Sequence, residues 1–192
     1  MPVDAYFIQY KFILPKSISH SSYTYQKLFR ALYGYTQAVY KSSGKAYKYH
    51  RKGVLSDYPF LRPAKNTVII PPAALQELIS FFNTGRNPAH RWFRKGEWKA
   101  VYYMNEKKLN ESAAVKALED MLDRLWVNVE GEKKLLLDEL KRVAEGGANP
   151  DYISMLLVEA KKVTDNEWFN KCYALSKRLR GFKKLCDSLK ER

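Results

Sequence analysis

The sequence predicts an α+β protein in two parts: a β-α-β-β-α-β domain over residues 1–104 and an all-helical domain over residues 105–192. Two features of patterning and one of composition predict it. Apolar residues alternate with period two over residues 5–14, as a half-buried strand requires, and recur every three or four residues over 25–40 and 75–82, as helices require. After Met104 only the helical spacing persists. The composition changes at the same place. Residues 1–104 hold 21 of the 27 aromatic side chains, and 16 Lys and Arg against 4 Asp and Glu, a balance of +12. Residues 105–170 balance at −4, and 171–192 at +6. A charge this uneven points to a face for a polyanion more than a uniform excess would.

The elements follow in order. Tyr6, Ile8, Tyr10, Phe12 and Leu14 form the apolar face of a first strand, with Gln9 and Lys11 opposite, and Pro15 ends it. The serine-rich turn from Ser17 to Ser22 caps a helix of about twenty residues, whose face is Tyr25, Leu28, Phe29, Leu32, Thr36, Val39 and Tyr40. Ser42-Ser43-Gly44 closes that helix.

The next segment, Lys45 to Gly53, alternates without an aliphatic face. Lys45, Tyr47, Tyr49 and Arg51 share one side of an extended chain, and Ala46, Lys48, His50 and Lys52 the other. Val54 and Leu55 continue the strand, and Ser56 to Lys65 reads as a proline-containing loop. Thr67 to Ile70 is a short buried strand, and Pro71-Pro72 open a second helix with Leu75, Leu78, Ile79 and Phe82 on its face. Arg91–Arg94 and Trp98–Met104 read as two arms of a hairpin that turns at Lys95-Gly96-Glu97. Trp98 belongs to its core face, and Trp92 fits core and surface equally.

Beyond Met104, one helix carries Val115, Leu118, Met121, Leu122, Leu125, Trp126 and Val129, and Glu130-Gly131 interrupts. A third helix runs from Leu135 to Gly146, and another starts at Asn149-Pro150. Thr164 to Glu167 has the form of a capping box for the last helices. Residues 5–104 thus allow a ferredoxin-like sheet, an arrangement that many RNA-binding modules share. The core pattern of the RNA-recognition motif is absent, and element order alone carries no function.

The chemistry present is that of binding. Cations attract phosphates and tyrosine rings stack on bases. The candidate nucleic-acid contacts are therefore Lys45, Tyr47, Lys48, Tyr49, His50, Arg51 and Lys52 on the tyrosine-lysine strand. A second basic-aromatic cluster adds Arg86, Arg91, Trp92, Arg94, Lys95 and Lys99. Lys177, Arg180 and Lys184 share one face of the last helix. A guarded edge strand and a solvated helix face are the plain alternatives for the first and last of these.

No phosphate-binding glycine loop or nucleophile elbow is present. The histidines His20, His50 and His90 are far apart, and the first 104 residues hold no acidic cluster, so no cofactor or metal site is expected. Cys172 and Cys186 read as reduced core residues of a cytoplasmic protein, and no segment has the length and apolarity of a membrane span. The expected function is nucleic-acid binding, with RNA preferred to DNA because no recognition helix for duplex DNA is evident. An assembly factor holding a protein partner through residues 105–170 is the alternative. A metal-independent ribonuclease using His50 or His90 is a further one, although the residue types favour a binding protein over an enzyme.

Overall fold

The computed structural model describes residues 1–40, 42, 44, 46–89 and 97–191, with the backbone alone for Tyr47. Mixed α and β structure is present, 47% helix and 27% strand. The chain divides into two compact units, one of Asp4–Ser56 and Phe60–Lys107, the other of Met1–Val3, Asp57–Pro59 and Lys108–Arg192.

In the first unit the elements are β1 (Val3–Ile13), α1 (Tyr23–Tyr33), β2 (Tyr35–Tyr40), β3 (Ala46–Arg51), β4 (Leu61–Ala64), β5 (Thr67–Ile70), α2 (Leu75–Thr84) and β6 (Lys99–Leu109). Four of these strands form a sheet in the order β4-β5-β1-β6. β1 runs antiparallel to β5, with Phe7 opposite Ile69 and Gln9 opposite Thr67. One sheet face is the core. Ile8, Tyr10 and Phe12 of β1 are buried with Leu28 and Leu32 of α1, Phe81 and Phe82 of α2, and Val68 and Ile70 of β5. Trp98, only 2% exposed, stands edge-on to Phe12 and so belongs to the core as its face implied. Tyr10 and Tyr33 share a 2.7 Å hydroxyl contact there, and burial raises the pKa of both.

Three expectations are corrected in this unit. The helix predicted over residues 22–41 ends at Gly34, and Tyr35–Tyr40 is strand. Gly34 takes φ 74°, its amide donates to the Arg30 carbonyl at 2.8 Å, and the aromatic and β-branched run beyond it suits a pleated surface. Secondly, the tyrosine-lysine strand does not join the main sheet. Among the described residues it pairs with β2 alone, and the strand at the sheet edge is β4, from the segment read as loop. Pro63 is compatible with that edge position, where a missing N–H disrupts no ladder. Thirdly, Val54 and Leu55 do not extend β3: they form a buried turn whose amides donate to the Ala31 and Leu32 carbonyls at 2.9 Å.

The second unit comprises α3 (Glu111–Leu122), β7 (Trp126–Val129), β8 (Glu132–Leu135), α4 (Leu136–Gly146), α5 (Pro150–Thr164), α6 (Glu167–Cys172) and α7 (Lys177–Lys190). It is therefore not all-helical. Leu125, Trp126 and Val129 fit the helix spacing of α3, but Glu130 at φ 52° and Gly131 at φ 85° turn the chain back as a two-residue hairpin. The capping box at Thr164 is also corrected. Thr164 ends α5, and Asn166 caps α6 by accepting the Trp168 amide at 2.9 Å. Cys172 and Cys186 are free and buried, and burial pushes the Cys186 thiol up to about 11.

α7 is continuous through Gly181, and a Cβ there meets nothing within 4 Å. Gly181→Ala is expected to stabilise the protein by about 0.5–1 kcal/mol, the difference in helix propensity. A thermal midpoint that falls instead would mean that the site is crowded.

Glu139 of this unit is a buried carboxylate. Glu139 Oε2 accepts from Arg142 Nε and Nη2 at 2.9 and 2.8 Å and from the Tyr152 hydroxyl at 2.8 Å, and Lys134 stands 3.7 Å from Oε1. Burial opposes ionisation, but these hydrogen bonds and charges outweigh it and hold the pKa below the ordinary value of 4.5. A depressed carboxylate pKa contributes stability that is complete above the unfolded-state value. That contribution is lost as pH falls through the native value. Asp123, beside Arg178, and Asp187, beside Lys183, titrate in the same sense. Urea midpoints are thus expected to fall below about pH 4, and less steeply in Glu139→Gln. An equal acid slope in that variant would assign the effect to other carboxylates.

Candidate nucleic-acid interface

The tyrosine-lysine segment is one arm of a two-stranded antiparallel ribbon. Tyr35 pairs with Arg51, Gln37 with Tyr49, Ala38 with Lys48 and Tyr40 with Ala46. Directly paired residues share a face, so Tyr35, Gln37, Val39, Tyr49 and Arg51 form one side, and Thr36, Ala38, Tyr40, Lys48 and His50 the other. Thr36 to Tyr40, Lys48, Tyr49 and Arg51 are all exposed, Tyr40 to 76% and Tyr49 to 48%. An ordinary hairpin buries one face. Here the outer parts of both faces meet solvent, and from Tyr35 to Lys52 the sequence carries five cations and no acid.

The ribbon is held at its foot. Gly53 N donates to Ser56 Oγ at 2.8 Å, and Ser56 Oγ donates to the Tyr33 carbonyl at 3.4 Å. The Ser56 hydroxyl thus satisfies the Tyr33 carbonyl, and the Val54 and Leu55 amides satisfy those of Ala31 and Leu32, which end α1. The two glycines approach so closely that a Cβ on Gly53 would lie 2.2 Å from Gly34 N, and one on Gly34 would lie 2.7 Å from the Arg51 carbonyl oxygen.

On the ribbon, His50 Nδ1 stands 3.1 Å from Thr36 Oγ1, and Lys52 is half-buried just past the end of β3. Arg86 is exposed after α2, and Lys99 is exposed at the start of β6. Lys177, Arg180 and Lys184 are exposed on α7, in the other unit, where the Arg180 guanidinium donates to the Ala174 carbonyl. Lys45, Arg91, Trp92, Arg94 and Lys95 lie outside the described residues, as do His90 and the side chain of Tyr47.

The structure adds residues that the sequence reading assigned to a helix interior or passed over. Lys27 Nζ lies 4.3 Å from the centre of the Tyr23 ring, and the Arg30 guanidinium 4.8 Å from that of Tyr35. They extend the basic aromatic surface from the ribbon foot along α1. The signal for them was the spacing of Tyr23, Lys27 and Arg30, which places all three on one helix face opposite Leu28 and Leu32. The signal for β2 was Gly34 followed by Tyr-Thr-Gln-Ala-Val-Tyr.

Among the described residues no three His, Cys, Asp or Glu side chains converge as a metal site would require. No helix among them is long and apolar enough to cross a membrane. Comparison with protein-family models, with curated proteins and with solved structures found no match.

Proposed function

We propose that this protein binds nucleic acid through the β2–β3 ribbon, with RNA preferred to DNA. The observation that carries the reading is a ribbon exposed over most of both faces, lined by tyrosines and cations and pinned at its foot. Lys48 and Arg51 offer charge to phosphates, and Arg51 adds the planar fork that suits them. Tyr40 and Tyr49 offer rings on which bases stack. Because strand backbone is already ordered, little conformational freedom is lost when these groups engage. The strand order β4-β5-β1-β6, with α1 and α2 in the two crossovers, supports the finer reading of a ferredoxin-like sheet into which the ribbon is inserted. The buried, unbridged cysteines fit a cytoplasmic location.

Filter binding to single-stranded RNA over a salt series tests the proposal. Affinity in the micromolar range or tighter is expected, with a log–log salt slope of about −3 if about four phosphates are engaged. No retention at low salt would end it. Duplex DNA is the second reading, favoured by the two-stranded form of the ribbon, which the B-form major groove admits. Preferential retention of duplex DNA over single-stranded RNA would select it.

A further inference from the structure

The nucleic-acid reading leaves unused the sheet face that turns away from α1 and α2. Its position follows from strand alternation. Ile8, Tyr10 and Phe12 point to the core, so Phe7, Gln9, Lys11 and Ile13 point the other way. On β6, Tyr102 stacks on Phe82, so Lys99, Val101, Tyr103 and Lys107 also point outward. Lys107 Nζ lies 5.8 Å from the Phe7 ring centre, which places the two sets on one surface.

Ala5, Ile69 and Leu109 of this outward set are buried, so the open part of the face lies toward Ile13 and the start of β6, where a solvent-facing sheet normally shows polar residues. This face instead exposes Tyr103 to 66%, Val101 to 50% and Ile13 to 45%. Among them stand Lys11, Lys99 and Lys107, and the outward positions of β1 from Phe7 and of β6 carry no acid. A partner that is apolar in its flat faces and anionic in its backbone matches both features at once. Unpaired bases on a sugar-phosphate chain have that chemistry, whereas a duplex hides its base faces.

We infer that the outward face of β1 and β6 is a second site, where Tyr103 stacks on an unpaired base and Lys11 and Lys99 hold the flanking phosphates of a single-stranded RNA. The inference rests on the proposed nucleic-acid function and supplies its substrate class, but it uses none of the ribbon residues. The ribbon then contributes phosphate contacts and stacking of its own, and the sheet face adds to the discrimination of single strands from duplexes.

The test uses the full chain, a short single-stranded oligouridylate and a blunt RNA duplex, with Tyr103→Ala, Tyr103→Phe, Lys11→Glu/Lys99→Glu and the ribbon variant Lys48→Glu/Arg51→Glu. Tyr103→Ala is expected to weaken single-strand binding about tenfold and duplex binding less than about twofold, while Tyr103→Phe keeps the wild-type affinity. The lysine pair should also weaken single-strand binding about tenfold. Single-strand affinity unchanged in Tyr103→Ala, or equal losses on both probes, would overturn the stacking site. Loss in the ribbon variant alone would leave the ribbon reading standing and remove this one; loss in the sheet variants alone would do the reverse. If wild-type protein binds neither probe, both fall. Among the described residues β6 is also an edge of its sheet, so sedimentation is run in parallel. A dimer that dissociates in Tyr103→Ala, with RNA binding unchanged, would make the face a contact between copies of this chain and overturn the inference.

Discussion

Charge reversal of Lys48 and Arg51 to Glu is expected to weaken RNA binding at least about tenfold, or about 1.4 kcal/mol. Both side chains are exposed, and they stand on opposite faces of one ribbon. The double variant replaces two attractive charges with two repulsive ones on a strand whose neighbours include no acid. Thermal stability should move by only a few degrees, because exposed charges contribute little to folding. Fluorescence anisotropy at low and moderate salt measures the first effect, and circular dichroism melting the second. The corresponding reversal of Lys177 and Lys184 on α7 should cost less affinity. If it costs more, the ribbon is a guarded edge and the binding face belongs to the C-terminal unit.

Gly53→Ala is expected to be the most damaging single change at the foot of the ribbon. A Cβ there would lie 2.2 Å from Gly34 N and 2.8 Å from the Leu32 carbonyl group, and all of these are backbone atoms that cannot rotate away. The chain must separate at the foot of the ribbon, where the Ser56 hydroxyl, which accepts from the Gly53 amide, donates to the Tyr33 carbonyl at the end of α1. A loss of about 3 kcal/mol is expected, or a melting temperature lower by about 15 °C for a unit of this size. Gly44→Ala is the comparison. Gly44 takes φ 75° but a Cβ meets nothing within 4 Å, so only the left-handed backbone is penalised, by about 1 kcal/mol. Equal effects at the two positions would show that the close approach relaxes without cost. Nucleic-acid binding should fall with Gly53→Ala even at temperatures where the variant is folded, since the ribbon loses its fixed exit from α1.

What could be read locally came from local physics. Alternation along β1 identified Ile8, Tyr10 and Phe12 as a core face, and Ser22 and the spacing of Leu28 and Leu32 identified α1, because one residue's face follows from its neighbours'. The extended form of Ala46–Arg51 and its lack of an aliphatic face were legible for the same reason. Partnership between segments was not. Leu32, Thr36, Val39 and Tyr40 satisfy helical spacing, and only pairing with β3 and the contact of Gly34 with Gly53 make Tyr35–Tyr40 a strand. Leu125, Trp126 and Val129 likewise satisfied helical spacing until β8 took the other side of the hairpin. Tertiary structure also decided that β4 rather than β3 completes the sheet, and that Tyr103 and Lys99 of β6 share a face with Lys11 of β1. Strand pairing joins residues far apart in sequence. Its free energy comes from the partner's side chains and backbone, which no window along one segment contains.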